Sequence, residues 1–463
     1  MNIMIRLFNH WFTWRSIAGM LFDFSFLIVS LVITLMWIKS GLPVNLKQVV
    51  VYAILFGLAM LAINALLGLY QRASIRPFVE TRARAVLSIY LSIPIAYALY
   101  AVLPISAVNR DLIHLSAMSA VFGMLVTRVS AVHAPAAKML RRRILVFGTG
   151  HQALAIKKAL DHSDPSAEII GFFPGSNEDQ PLVLPSMTFS RENSLTDTAR
   201  NLKADEIVVA LSERRGGSMP LRELLDCKLQ GVRVLDLASH FEQTLGQIRL
   251  DSLYAGWLIF GDGFCQGTFR TVVKRLFDII SALILIVLAL PVMLIAAILI
   301  VFEDGFPLLY RQERVGLNGR LFNVIKFRSM RRDAEKDGKP IWAQAQDNRA
   351  TRIGQIIRKL RIDELPQLFS VLKGDMSLVG PRPERPFFVD QLTKEIPFYA
   401  VRHSVKPGVT GWAQVRYHYG ATVEDSAEKL QYDLYYVKNH SLFLDMVVLF
   451  ETVGVVLTGK GAH

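Results

Sequence analysis

The chain has 463 residues, 52% hydrophobic and only 20% charged, which excludes a disordered chain and disfavours a protein soluble throughout. A formal net charge of +13 suits nucleic acid, an anionic membrane surface or an anionic substrate, and says little about fold. Two cysteines, Cys227 and Cys265, exclude a disulfide framework and lack zinc-ligand spacing, so a reducing compartment is expected.

Four apolar stretches occupy the first third, at about 17–38, 49–70, 86–108 and 112–127. A helix needs ~20 apolar residues to cross a bilayer core, and the first three qualify. The fourth is short and bounded by Asp111 and Arg128. No small-residue cleavage site follows the first stretch, which reads as an anchor and not as a cleaved signal peptide. Orientation follows from the short loops. Residues 71–85 carry Arg72, Arg76, Arg82 and Arg84, and the exit from the fourth stretch carries Lys138, Arg141, Arg142 and Arg143. The alternate loops hold only Lys39 and Lys47, and Arg110. Both ends of a four-helix region spanning 1–135 are therefore expected in the cytoplasm. The basic residues read as topological determinants. No aromatic–basic interleaving supports a nucleic-acid partner.

The pattern changes at Arg143. Ile144–Phe147 reads as a buried strand, followed by the turn Gly148-Thr149-Gly150-His151-Gln152-Ala153 and a helical run to about Leu160. Further strands fit Ile169–Phe173, Ile207–Leu211 and Val232–Leu237. This predicts a Rossmann-like domain over 141–255. The turn suits either a bound phosphate or a tight strand-to-helix connection without a ligand. The second favours itself, because the next strand ends Phe172-Phe173-Pro174 with no carboxylate for a ribose, and no Tyr-x-x-x-Lys couple occurs in the chain.

Ile279–Phe302 is uncharged and long enough to span, with Pro291 at its centre. Lys274 and Arg275 precede it, while Arg311, Arg314, Arg320, Lys326, Arg328, Arg331 and Arg332 follow. Basic flanks on both sides disfavour a crossing and predict a helix–break–helix over 276–302 that enters and leaves one leaflet.

The last 160 or so residues carry the chemistry. Alternation over 320–332 predicts a strand delivering Lys326 and Arg328 to one face, suited to phosphates or to solvent. Segment 354–366 has helical spacing (Ile356, Ile357, Leu360), with Arg358, Lys359 and Arg361 before the pair Asp363-Glu364. Adjacent carboxylates with neighbouring cations fit a carboxylate nucleophile on phosphorus beside a bound diphosphate, although such a pair is commonly surface charge. Gly-Pro-Arg-Pro fixes the backbone around Arg382, suited to oxyanion recognition. Segment 402–414 joins Arg402, His403 and Lys406 to a Gly-rich turn before Trp412, suited to phosphate and base contacts; His403 is a candidate base or a structural histidine. Leu442–Thr458 is apolar apart from Asp445 and Glu451 and predicts a helix lying on a membrane face.

The order Lys-Phe-Arg-Ser-Met, Asp-Glu-Leu-Pro-Gln-Leu, Lys-Gly-Asp-Met-Ser, Gly-Pro-Arg-Pro, Lys-Pro-Gly-Val-Thr-Gly-Trp-Ala-Gln and Tyr-Asp-Leu-Tyr-Tyr-Val-Lys-Asn resembles the bacterial polyprenyl-phosphate sugar-1-phosphate transferases over about 270–463. The whole chain resembles their long form, and Gly261-Asp262-Gly263-Phe264 is similar to members from exosortase-associated exopolysaccharide loci. The resemblance implies a membrane α-helical bundle, an α/β Rossmann-like domain and an α/β monotopic catalytic domain with a re-entrant membrane helix. It implies transfer of a sugar 1-phosphate from a UDP-sugar to undecaprenyl phosphate with release of UMP, initiating exopolysaccharide or O-antigen assembly. Asp363 matches the family nucleophile and, with Mg2+ beside it, forms a covalent phosphosugar ester. Glu364 orients or deprotonates the acceptor. Lys326, Arg328, Arg358, Arg361, Arg382 and Arg402 are implied phosphate or nucleotide contacts. A multi-pass protein of the bacterial inner membrane is expected, with a cytoplasmic catalytic domain, inner-membrane lipid contacts and a homodimer. Two departures stand out: Leu290 precedes Pro291 where members have serine, and Val415-Arg416-Tyr417 replaces Val-Asn-Gly. The competing expectations are a membrane-anchored NAD-dependent nucleotide-sugar dehydratase and a non-catalytic assembly scaffold.

Overall fold

The structure is a computed structural model and describes residues 4–7, 10–38, 46–67, 69, 78–102, 118, 122, 142–163, 167–175, 182–190, 192–211, 219–253, 255–260, 263–264, 267–331, 349–417, 420 and 422–458. It divides into two compact units, with the boundary at Leu245/Gly246.

In the first unit, helices α1 (Trp14–Ile38), α2 (Leu46–Leu66) and α3 (Phe78–Val102) cover three of the four N-terminal apolar stretches. The fourth, 112–127, lies outside the described residues apart from Met118 and Phe122. Tyr52, Phe56, Met60 and Ala96 are buried between helices while Leu21, Phe22, Leu58 and Tyr90 face outward. Polar groups meet inside: the Tyr52 hydroxyl donates to the Ala96 carbonyl at 3.1 Å, and Ser88 Oγ donates to Asn64 Oδ1 at 2.5 Å. Apolar outside and hydrogen-bonded inside is the arrangement that a hydrocarbon solvent favours.

The same unit holds a four-stranded parallel sheet, β1 (Arg142–Phe147), β2 (Ala167–Phe173), β3 (Glu206–Val209) and β4 (Arg233–Asp236), in the order β2-β1-β3-β4. Helix α4 (His151–Ser163) follows the glycine turn, and α5 (Leu195–Asn201), α6 (Leu221–Leu229) and α7 (Leu237–Leu245) complete the layers. All four expected strands are present. Strands β1, β2 and β3 send apolar side chains into layers on both sheet faces, and β4 adds Val234 to one of them. Gly148 has φ +132° and a Cβ there would collide with the Ala210 carbonyl, so the first turn glycine is sterically required.

The second unit contains α8 (Thr268–Asp304), long and apolar enough to cross a membrane. Its helical turns continue through Pro291, so no non-helical break interrupts it. Proline deletes one backbone bond, and the turns on either side retain theirs. Both ends of α8 are seated on this unit. At the start, Arg275 donates to the Val371 and Leu372 carbonyls at 2.6 Å, and Lys274 pairs with Asp278 at 3.0 Å and Asp445 at 2.8 Å. At the end, Met293, Ala296 and Ile300 pack with Phe327 and Ile357. Between these anchorages Val287 and Leu288 are about 70% exposed, at 71% and 70%.

The antiparallel hairpin β5 (Leu309–Val315)/β6 (Leu321–Phe327) follows, then α9 (Arg352–Lys359), α10 (Gln367–Lys373), β7 (Ser377–Val379), α11 (Pro386–Glu395), β8 (Gly408–Thr410), α12 (Trp412–Arg416), α13 (Val423–Asn439) and α14 (Leu442–Thr458). Strands β7 and β8 pair in parallel. Helix α14 carries two acidic residues in its apolar run. Asp445 and Glu451 do not face water; they turn inward to Lys274 and Arg416. The part-buried cations compensate these buried carboxylates, and Met446 and Val453 are left outward.

Candidate active site

Helix α9 starts on Thr351, whose Oγ1 accepts from Gly354 N at 2.9 Å, and on Glu303 from α8, whose carboxylate accepts from Arg352 N at 2.8 Å and Ile353 N at 3.0 Å. The helix ends where Arg361 adopts a left-handed backbone, φ 58°. That conformation costs a non-glycine residue about 1–2 kcal/mol. It releases Ile362–Glu364 into a separate 3-10 turn. Asp363 and Glu364 are thus not on the face of a continuing helix, as the spacing had implied. They lie in a tight turn between α9 and α10, both only 8% exposed.

One oxygen of Glu364 gathers the cations. Its Oε1 accepts from Lys326 Nζ at 2.8 Å and Arg382 NH2 at 2.7 Å, and Arg361 NH1 lies 3.9 Å away. Burial alone would raise this carboxyl, but Arg382, Lys326 and Arg361 outweigh it and hold Glu364 well below the usual carboxylate range. Asp363 differs. Burial, and then the Glu364 charge, push it up to about 6 against the pull of Lys326, Arg382 and Arg361. Burial also lowers Lys326, with Glu364 opposing. The pair is therefore asymmetric: Glu364 is a locked anion, and Asp363 is the less neutralised of the two.

The structure brings together Asp363, Glu364, Lys326, Arg361 and Arg382. It does not bring Arg328 there. Strand β6 ends at Phe327, so the alternation stops, and Arg328 NH2 donates to the Asp304 and Gly305 carbonyls at 2.9 and 2.6 Å and pairs with Asp304 Oδ2 at 3.0 Å. Arg358 is half-exposed on the last turn of α9, with no ion pair among the described residues. Arg402 is buried against Tyr399 and Asp433. Lys406 sits beside Gly374 at the far end of α10, lowered by burial and then by Arg275. His403 is held at about 4 by burial and by Arg402, and packs edge-on against Tyr399. Trp412 is no base contact: it is 1% exposed and its indole donates to the Gly246 carbonyl at 2.8 Å. Arg416, at the departure from Val-Asn-Gly, stacks over Trp412 and pairs with Glu451.

Sequence reasoning missed Glu303 and Asp304. Their signal was two acids closing an apolar run, read only as the end of a membrane segment. Through Arg328 and the α9 cap they tie the end of α8 to both chain segments that form the site.

Residues 269–459 match the family described as bacterial sugar transferase. The UDP-N-acetylgalactosamine-undecaprenyl-phosphate N-acetylgalactosaminephosphotransferase of Aeromonas hydrophila is 46% identical over 242 residues, 52% of this chain and 56% of that relative, so the match spans little more than half its length. The UDP-glucose:undecaprenyl-phosphate glucose-1-phosphate transferase of Caulobacter vibrioides is 44% identical over 194 residues, 41% of this chain and 72% of that relative. A protein of the same name from Xanthomonas campestris pv. campestris is 31% identical over 336 residues, 70% of this chain and 68% of its own. That last match is longer than Gly246–His463 and so reaches into the first unit.

Proposed function

Since the chain belongs to the bacterial sugar transferase family, we propose that it transfers a sugar 1-phosphate from a UDP-sugar to undecaprenyl phosphate through a covalent Asp363 ester. The observation that carries this reading is the asymmetric Asp363-Glu364 pair under three cations. An Asp363 carboxylate oxygen attacks the sugar-bearing phosphorus. The new O–P bond forms as the bond from that phosphorus to the bridging oxygen breaks, and the electron pair leaves with UMP. An oxygen of the lipid phosphate then attacks the same phosphorus, the aspartyl O–P bond breaks, and Asp363 regains its charge. Lys326, Arg361 and Arg382 stabilise the phosphate oxygens during both displacements. Glu364 keeps Lys326 and Arg382 aligned; a carboxylate held this firmly as an anion orients its neighbours and is a weak proton acceptor.

Magnesium fits this donor set in one way only. Among the described residues no three His, Cys, Asp or Glu side chains cluster to hold a metal. The Asp363 carboxylate is the under-neutralised oxygen donor, and Mg2+ commonly binds one or two carboxylates plus substrate phosphates. When bound, it would offset diphosphate charge.

The exposed apolar middle of α8, with both ends held by one folded unit, supports a helix that enters and leaves the bilayer on the same side, bending at Pro291, where a proline kinks a helix without ending it. With the four N-terminal apolar stretches and their basic loops, this gives an inner-membrane protein with a cytoplasmic site. The relatives' names make UDP-glucose and UDP-N-acetylgalactosamine the first donors to test.

The test is UMP release by full-length protein supplied with undecaprenyl phosphate, Mg2+ and each donor in turn. Asp363→Asn is expected to abolish release and the phosphosugar adduct seen by mass spectrometry of quenched mixtures. Undiminished turnover by this variant would reject the nucleophile.

A further inference from the structure

The loop that presents Arg382 has two prolines that cannot donate hydrogen bonds, yet four of its consecutive carbonyls accept one. Pro381 O accepts from Gly408 N at 3.0 Å and Glu384 O from Val315 N at 3.0 Å. The two between them are held by arginine side chains. Arg382 O accepts from Arg402 NH2 at 2.9 Å, and Pro383 O from Arg314 NH1 at 3.1 Å. The four donors come from three elements: Gly408 from β8, Arg402 from the turn before it, and Arg314 and Val315 from the end of β5.

Arg402 is itself fixed. It is 6% exposed; NH1 donates to the Tyr399 hydroxyl at 2.7 Å, and NH2 also pairs with Asp433 Oδ2 at 2.7 Å. Both terminal nitrogens are engaged inside the protein, and the Asp433 carboxylate balances the charge. Arg314 is similarly held, donating to Gln312 Oε1 at 2.5 Å and pairing with Glu384 Oε2 at 3.3 Å.

We propose that Arg402 and Arg314 are positioning residues that clamp the carbonyls of residues 382 and 383, so that the Arg382 guanidinium meets a substrate phosphate already aimed. The inference rests on the proposed reaction. It moves Arg402 from substrate contact to the support of Arg382, and gives Arg314 a role that its place in a basic flank did not suggest. The rigid fork matters: a lysine keeps the charge but cannot reach a phenol, a carboxylate and a carbonyl at once.

A double-mutant cycle on the full-length protein tests it. UDP binding and UMP release are measured for wild type, Arg402→Lys, Arg382→Ala and the double variant, with thermal unfolding recorded for each. Arg402→Lys is expected to weaken UDP binding and lower kcat/KM by about tenfold. In the Arg382→Ala background the same change is expected to cost nothing more. Equal losses in both backgrounds would overturn the clamp, since a direct substrate contact or a general loss of folded protein is additive. Tyr399→Phe removes a single hydroxyl and carries the same cycle if Arg402→Lys does not fold. Wild-type protein that binds no UDP and releases no UMP would instead overturn the reaction itself.

Discussion

Two arginines that look alike in the sequence have opposite duties. Arg382 touches the Glu364 carboxylate, whereas Arg328, two residues from the site lysine, holds the last carbonyls of α8 and the Asp304 side chain. Removing the second should therefore cost structure and spare the ligand. Arg328→Ala is expected to lower stability by about 2 kcal/mol, the scale for losing hydrogen bonds to a charged group. UDP affinity should stay at the wild-type value. Thermal unfolding beside a UDP titration checks this, and weaker binding at unchanged stability would return Arg328 to the site. The residue scale also shows where sequence reading is blind. Arg402 and Trp412 sit in a motif suited to phosphate and base contacts, yet both are buried and bonded to protein. A motif records which residue types are needed, and burial decides what they touch.

At the scale of elements, the parallel sheet carries a charged cluster at the start of its strands. Buried Glu206 from β3 accepts from His240 at 2.7 Å and faces Arg142 from β1 at 3.4 Å and Arg233 from β4 at 3.9 Å. Burial would raise its carboxyl, but the His240 hydrogen bond and these charges prevail and hold it at about 2, below its usual 4.5. A depressed carboxyl stabilises the fold fully above its unfolded value, and the contribution fades as pH falls from about 4.5 to about 2. Glu206→Gln should then lose about 3 kcal/mol at neutral pH. Peptides covering β1 and β3 are expected to exchange amide hydrogens on the order of 100-fold faster than wild type at pH 7, with the ratio shrinking toward one below pH ~4. A ratio that does not change with pH would reject the linkage. The strands themselves were legible, because short apolar runs bounded by turns fit a sheet covered on both faces. The end of α9 was not: helical spacing ran on through Leu360 and gave no warning of the left-handed Arg361.

For the molecule as a whole, the decisive feature is that the apolar helix α8 is held at both ends by one unit. Lys274 and Arg275 secure its start, and Glu303 and Asp304 its end. A bilayer crossing would separate these ends. With Cys227 and Cys265 first replaced by serine, Arg270→Cys and Arg320→Cys are expected to react with a membrane-impermeant maleimide from the same side of sealed vesicles. Labelling from opposite sides would establish a crossing. The sequence alone determined the apolar segments, the alternation of strand and helix in the middle, the family and the carboxylate pair, because hydrophobic period and motif order are local properties of the chain. Only the tertiary structure decided that Glu364 is locked by three cations while Asp363 is left under-neutralised, that Arg328 and Arg402 serve the scaffold, and that Asp445 and Glu451 turn inward. Each depends on which charges are brought within hydrogen-bonding reach away from water, and electrostatic strength there is set by distance and burial that no linear spacing records.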